Sequence, residues 1–175
     1  MISQIVCVDS KGGIGLNNSL PWHDKEEMKI FRMLTMGKTV FMGRNTYESL
    51  PERPYDPKNP SIGTTRALKG RTNVVFSNSL SEGSEHMLNK HYGVYVTKGF
   101  EALVTKTPLL DDDRVIIGGA SIYEQTIGVT EMVYLSRMKN EYDCDTFYPL
   151  EKLESFEKLS TVKYDTFDLE IYKRY

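Results

Sequence analysis

Short apolar runs rich in β-branched residues alternate with segments of helical spacing along most of this 175-residue chain. That alternation constrains the fold more than any single residue does, because a strand–helix–strand unit returns the chain parallel to its start. The opening IVCVDS reads as a buried strand that runs into KGGIG, whose glycines mark a turn. From Asp24 to about Met36 the spacing turns helical, with Asp24 as N-cap and Gly37 as stop. TVFMG (39–43) is a second strand, followed at once by RNTYESL, whose Asn45 and Thr46 offer helix-start chemistry. TNVVFS (72–77), YGVYVT (92–97), RVIIG (114–118) and MVYLSRM (132–138) are further strands, with short helices in FEALVTK and ASIYEQTI. The C-terminal LEKLESFEKLSTVKYDTFDLEIYKRY alternates apolar and polar residues about a turn between Tyr164 and Asp168, which predicts an antiparallel hairpin. The expectation is an α/β fold with a central, mostly parallel twisted sheet. Helices flank it on both faces and the hairpin closes one end.

A chain of this length supports one well-buried core, so residues 1–175 are expected to form a single domain. Pro51, Pro54, Pro57 and Pro60, with Gly63 and Gly70, exclude regular structure from most of 51–70. The Pro-rich stretch 51–67 is therefore an inserted loop. Too little chain precedes it to make it a linker.

Charge narrows the partners. A formal net charge of −2, with both signs mixed along the chain, offers no concentrated basic face for nucleic acid. No apolar run reaches the length of a membrane span, and MISQIVCVDS lacks the order of a signal peptide, so a cytoplasmic location is expected. Cys7 and Cys144 are too few for a disulfide framework. His23, His86 and His91 are scattered, and no cluster has metal-ligand spacing, so no metal is expected.

Ligands of parallel sheets bind beyond the carboxyl ends of the strands, which directs attention to the loops after the first, second and fifth strands. Three acids, Asp24, Glu26 and Glu27, stand at the start of the first helix. Residues three, four and seven beyond Glu27 are Ile30, Phe31 and Leu34, an apolar helical face, whereas Glu26 leads to Lys29, Ile30 and Met33. Glu27 is thus aimed at apolar surroundings, where a carboxylate needs a donor-rich or cationic partner. A capping box, in which Glu27 reaches back to the Asp24 N–H, explains the same spacing. The local pattern leaves both readings open. Beside Trp22 and Phe31, the carboxylate is suited to gripping the amino-amidine edge of a flat heterocycle.

Two strand-to-helix turns, Gly43-Arg44-Asn45-Thr46 and Gly118-Gly119-Ala120-Ser121, have the chemistry of anion sites: helix N–H groups, close backbone approach at glycine, and the Arg44 fork. Each alone is a weak signal, and no GxGxxG is present. Together they favour a dinucleotide.

IGLNNSLPW (14–22), a carboxylate five residues after its Trp, FMGRNTYESL (41–50), VIIGGASIYEQ (115–125) and DTFYP (145–149) occur in an order that resembles dihydrofolate reductase over nearly the whole chain. The resemblance implies NADPH-dependent reduction of 7,8-dihydrofolate to 5,6,7,8-tetrahydrofolate by a monomer, with dihydrofolate the small-molecule substrate and NADPH the cofactor. Glu27 would bind the pterin and promote its protonation, Ser136 would hold that carboxylate, and Trp22 would help order water. Ile5, Cys7 and Phe31 would wall the pterin pocket, with Ile117 and Tyr123 where pterin meets nicotinamide. Leu50 and Leu68 would line the benzamide portion, and Arg71 would pair with a carboxylate of the glutamate tail.

On the cofactor side, Ile14, Gly15, Asn18 and Leu20 resemble the mobile loop that closes over the nicotinamide, with Cys7 beneath it. Gly43, Arg44, Asn45 and Thr46 would bind phosphates, as would Gly118, Gly119, Ala120, Ser121 and Ile122, with Ile117 and Tyr123 alongside. Ser77 and Asn78 would lie near the adenosine. The Gly118-Gly119 peptide is typically cis in this family. Two features depart from compact bacterial members: Glu stands where many have Asp, and the 51–67 loop is longer. A reductase of the riboflavin pathway shares the sheet and the cofactor and is the nearest rival; Glu27 and Arg71 suit folate better. A nucleotide-binding module with Glu27 as a mere cap is the rival from another class.

Overall fold

The computed structural model describes residues 1–17, 19–78, 94–105 and 113–175. Eight strands form the main sheet: β1 (Ile2–Val8), β3 (Thr39–Gly43), β6 (Thr72–Phe76), β7 (Val94–Thr97), β8 (Arg114–Ile116), β9 (Met132–Met138), β11 (Phe156–Lys163) and β12 (Phe167–Arg174). Their order across the sheet is β11-β12-β9-β1-β8-β3-β6-β7. The pairs from β9 to β7 are parallel, whereas β12 runs antiparallel to both β9 and β11. The expected hairpin therefore closes an otherwise parallel sheet.

The inner strands read as continuous apolar runs because both sheet faces are covered. On one face Val6, Val8, Phe41, Val74, Ile116 and Leu135 form a core. Against it pack Leu103 of α3 (Glu101–Val104) and Tyr123 of α4 (Ala120–Thr126). Residues that alternate with these, among them Ile5, Val40, Met42, Val75, Val115 and Ile117, build the opposite core under α1 (Lys25–Thr35) and α2 (Arg44–Ser49). Phe31 and Leu34 reach it from α1, and Tyr47 from α2.

Several boundaries differ from expectation, each for a local reason. The first strand spans Ile2–Val8, not 5–10, because Asp9 turns the chain by accepting from the N–H groups of Lys11 and Gly13 at 2.9 and 2.8 Å. KGGIG is not only a turn: β2 (Gly13–Gly15) pairs antiparallel with β10 (Thr146–Phe147), inside DTFYP. The second helix starts at Arg44 with Gly43 as N-cap, so Asn45 and Thr46 lie in its first turn and cap nothing. RVIIG leaves the sheet after Ile116, and Leu150–Ser155, read as part of the hairpin, is a 3-10 helix. In the 51–67 loop, two-residue strands β4 (Arg53–Pro54) and β5 (Thr64–Thr65) and one 3-10 turn are the regular structure among the described residues. Tyr92 and Gly93 of the fourth strand, Lys106 of the third helix, His86 and His91 lie outside the described residues.

Candidate active site

Three elements converge on Glu27. Helix α1 starts where Asp24 accepts a hydrogen bond from the Glu27 N–H at 3.0 Å, and stops where Gly37 takes a φ of 75°. Half of the capping box is thus built. The Glu27 carboxyl does not complete it; it hydrogen-bonds to Ser136 on β9 instead. Cys7 of β1 lies directly across from Ser136 in the parallel register. Glu27 is only 8 % exposed, while Glu26 beside it is open to solvent. Burial, reinforced by the Asp24 charge and opposed by the Ser136 bond, pushes the Glu27 carboxyl up to about 7.

The apolar wall beside this carboxyl is one continuous cluster. Ile5, Phe31, Leu50, Leu68 and Ile117 all belong to the core under α1 and α2, although they come from five segments of the chain. Cys7 and Trp22 belong to the adjoining cluster around Ile30 and Phe167, where Trp22 meets Tyr142 at 5.1 Å between ring centroids. The indole N–H of Trp22 is buried without a hydrogen-bond partner, beside the Cys7 thiol. Burial pushes that thiol up, and Glu27 adds to the effect, so Cys7 stays neutral. Tyr123 is packed into the opposite core and donates through its hydroxyl to the Ile5 carbonyl at 2.7 Å.

Arg71 stands at the outer end of this wall. Its Nη1 donates to Thr35 at the end of α1 at 3.0 Å, and its Nε to the Lys69 carbonyl at 3.0 Å. Partial burial, with the Arg32 and Arg53 charges beside it, holds its guanidinium below the usual range. A site surrounded by like charge in this way favours an anion.

The two glycine turns abut each other: the Gly43 N–H donates to the Gly118 carbonyl at 2.9 Å. A Cβ at Gly43 would stand 3.0 Å from Ile122 Cγ1, and one at Gly118, where φ is 134°, only 3.2 Å from the Thr46 hydroxyl. The Gly118-Gly119 peptide is cis. Gly119 caps α4 with no side-chain hydrogen bond, and Ala120, Ser121 and Ile122 follow in its first turn. Arg44 is half exposed and its Nε pairs with Glu48 at 2.8 Å, so the fork is held by its own helix. Ser77 is buried at the end of β6, its N–H donating to the Thr97 carbonyl at 2.9 Å, and Asn78 is exposed.

The loop before α1 is also tied down. Gly15 lies in β2, its carbonyl accepting from the Asp145 N–H at 2.9 Å, and Ile14 leans on the core. Leu20 is half exposed, and Asn18 lies outside the described residues. Two features escaped the sequence reading. Asp9, 1 % exposed, also accepts from the Tyr142 N–H at 2.9 Å and so clasps this loop to the 139–145 segment; an acid ending an apolar strand before two glycines was the available signal. Met28, 51 % exposed, adjoins Glu27 and precedes Phe31 by one turn, and an apolar residue on the open side of that helix could have been singled out.

Sequence comparison matches residues 1–173 to the family described as dihydrofolate reductase. The chain belongs to the dihydrofolate reductase family. It is 34% identical to a dihydrofolate reductase of Haemophilus influenzae, covering 89% of this chain and 82% of that one. To the dihydrofolate reductase type 9 of Escherichia coli it is 32% identical over 92% of this chain and 83% of the relative. Among solved structures, the Enterococcus faecalis dihydrofolate reductase complexed with NADP(H) and RAB-propyl superposes with a TM-score of 0.78 at 25% identity, covering 99% of this chain and 96% of that one. The chain is thus an enzyme of the dihydrofolate reductase family and not of the riboflavin pathway. None of the helices among the described residues is long and apolar enough to cross a membrane.

Proposed function

We propose that this dihydrofolate reductase family member reduces 7,8-dihydrofolate to 5,6,7,8-tetrahydrofolate with NADPH, using Glu27 to bind the pterin and promote its protonation. NADPH, when bound, supplies a hydride for the pterin carbon; the adjacent ring nitrogen takes one proton, and both come to reside on the product. The buried Glu27 carboxyl carries this reading. At about 7 its proton is exchanged near neutrality, and the Ser136 hydrogen bond holds its orientation. Its two oxygens match the amide nitrogen and 2-amino group of a pterin with parallel hydrogen bonds. Ile5, Cys7, Phe31 and Ile117 give the flat ring an apolar wall, and Leu50 and Leu68 extend it toward the benzamide. Arg71, with Arg32 and Arg53 beside it, would draw a carboxylate of the glutamate tail. Trp22, with its unpaired buried N–H, would hold a water near Glu27.

The glycine turns fit a dinucleotide, since a side chain at Gly43 or Gly118 would fill the cleft between them. Gly43, Thr46 and 118–122 would hold its phosphates by backbone N–H and hydroxyl groups, with Arg44 and Asn45 at the mouth. Ser77 and Asn78 would meet the adenosine, and Ile14, Gly15, Asn18 and Leu20 would cover the nicotinamide. The test is steady-state oxidation of NADPH and of NADH with dihydrofolate, for the parent enzyme and for Glu27→Gln. The expected outcome is a preference for NADPH, with turnover lowered by two orders of magnitude or more in the variant, as for loss of a general acid–base group (about 10²–10⁴-fold), while NADPH affinity stays unchanged. Equal turnover in the variant would overturn the assignment of Glu27.

A further inference from the structure

Asp24 stands one helical turn before Glu27 and is held from two sides. One carboxylate oxygen accepts from the Glu27 N–H at 3.0 Å at the start of α1. The other accepts from the hydroxyl of Thr166, in the turn of the C-terminal hairpin. These bonds dock the hairpin onto the helix that carries the active-site carboxyl, and they hold the Asp24 carboxyl below its usual range. Asp24 is thus ionised and cannot swing away.

We propose that Asp24 is a positioning residue for the Glu27 carboxyl: pinned between α1 and the hairpin, its fixed negative charge biases Glu27 toward holding a proton. The inference rests on the reading of Glu27 given above. Two carboxylates one turn apart cannot both be ionised without cost, and the buried one yields. Among the other groups facing Glu27, the Ser136 hydroxyl on β9 opposes this through its hydrogen bond but carries no charge, while Cys7 on β1 and Tyr123 on α4 are both pushed up by burial and remain neutral. Asp24 itself borders an open hollow of about 490 Å³ lined by Glu26 and, on the hairpin side, by Lys163, Tyr164, Asp165 and Thr166. His23, exposed and adjacent in sequence, favours the Asp24 charge.

Charge and cap can be separated, because Asn is as good an N-cap as Asp while Glu keeps the charge but caps poorly. The experiment measures the single-turnover rate of NADPH oxidation by dihydrofolate against pH in the parent, Asp24→Asn, Asp24→Glu and Glu27→Gln, with melting temperatures alongside. The expected result is that Asp24→Asn keeps its melting temperature but moves the midpoint of the pH profile toward acid by roughly half a unit or more, as removal of a neighbouring like charge requires. Asp24→Glu should keep the parental midpoint while melting lower. Should Asp24→Asn fold poorly, Asp24→Ser supplies an uncharged cap with the same expected acid shift. A parental midpoint in the uncharged variants, with Glu27→Gln still inactive, overturns the proposal and leaves the Glu27 reading standing. A Glu27→Gln enzyme with parental rate and profile overturns that reading instead.

Discussion

At the scale of single residues, the chain keeps a carboxyl group where its charge is disfavoured. Glu27 is buried against apolar neighbours, and its proton affinity in the folded state, about 7, lies above the value near 4.5 of an ordinary Glu. Folding therefore binds that proton more tightly. The associated stabilisation is fully present below about pH 4.5 and is lost as pH rises through 7. Replacing Glu27 by Gln removes the penalty. The variant should be more stable than the parent at pH 8, by up to about 3 kcal/mol from the linkage relation, with the difference shrinking toward pH 4.5. Thermal melting of both proteins across that range checks this; parallel curves would contradict it. Helical spacing alone picks Glu27 from its two acidic neighbours, since it needs only the residues of one element. Whether its carboxyl completes the cap depends on Ser136 of β9, which the fold brings against α1 from a distant segment and which no local pattern reveals.

At the scale of elements, the segments that escape sequence reading are those held from outside. Strands β2 and β10 are three and two residues long, too short for any periodicity to register. They exist because Asp9 gathers the N–H groups of Lys11, Gly13 and Tyr142 around one buried carboxylate, whose charge these donors stabilise against burial. Gly13 is closely packed there, for a Cβ would collide with the Cys144 sulfur. Asp9→Ala would strand those donors. Only the Gly13 bond is fully buried, so the expected loss is at least about 1–3 kcal/mol, the cost of one buried unpaired group, and chemical denaturation measures it. A loss under half a kcal/mol would show that the clasp is dispensable. Long elements behave differently: α1 announces itself through Asp24, its apolar stripe and Gly37, all confirmed in place.

For the whole molecule, alternation of strand and helix was enough to foresee a parallel sheet covered on both faces. The order of strands was not, because it depends on pairings between distant segments. That order puts β1 between β8 and β9, and this adjacency joins the Gly118-Gly119 turn, Cys7 and Ser136 along the carboxyl edge of three interior parallel strands. Glu27 then descends on that edge from α1. Whether this carboxyl governs the chemistry is tested most directly by the pH dependence of tetrahydrofolate formation in a single turnover. The parent rate should be highest on the acid side and fall as pH rises through neutrality. Glu27→Gln should be slowed by two orders of magnitude or more, consistent with loss of an acid–base group, and should show no such fall. A Glu27→Gln enzyme that retains the parental rate and the same pH midpoint would contradict that role.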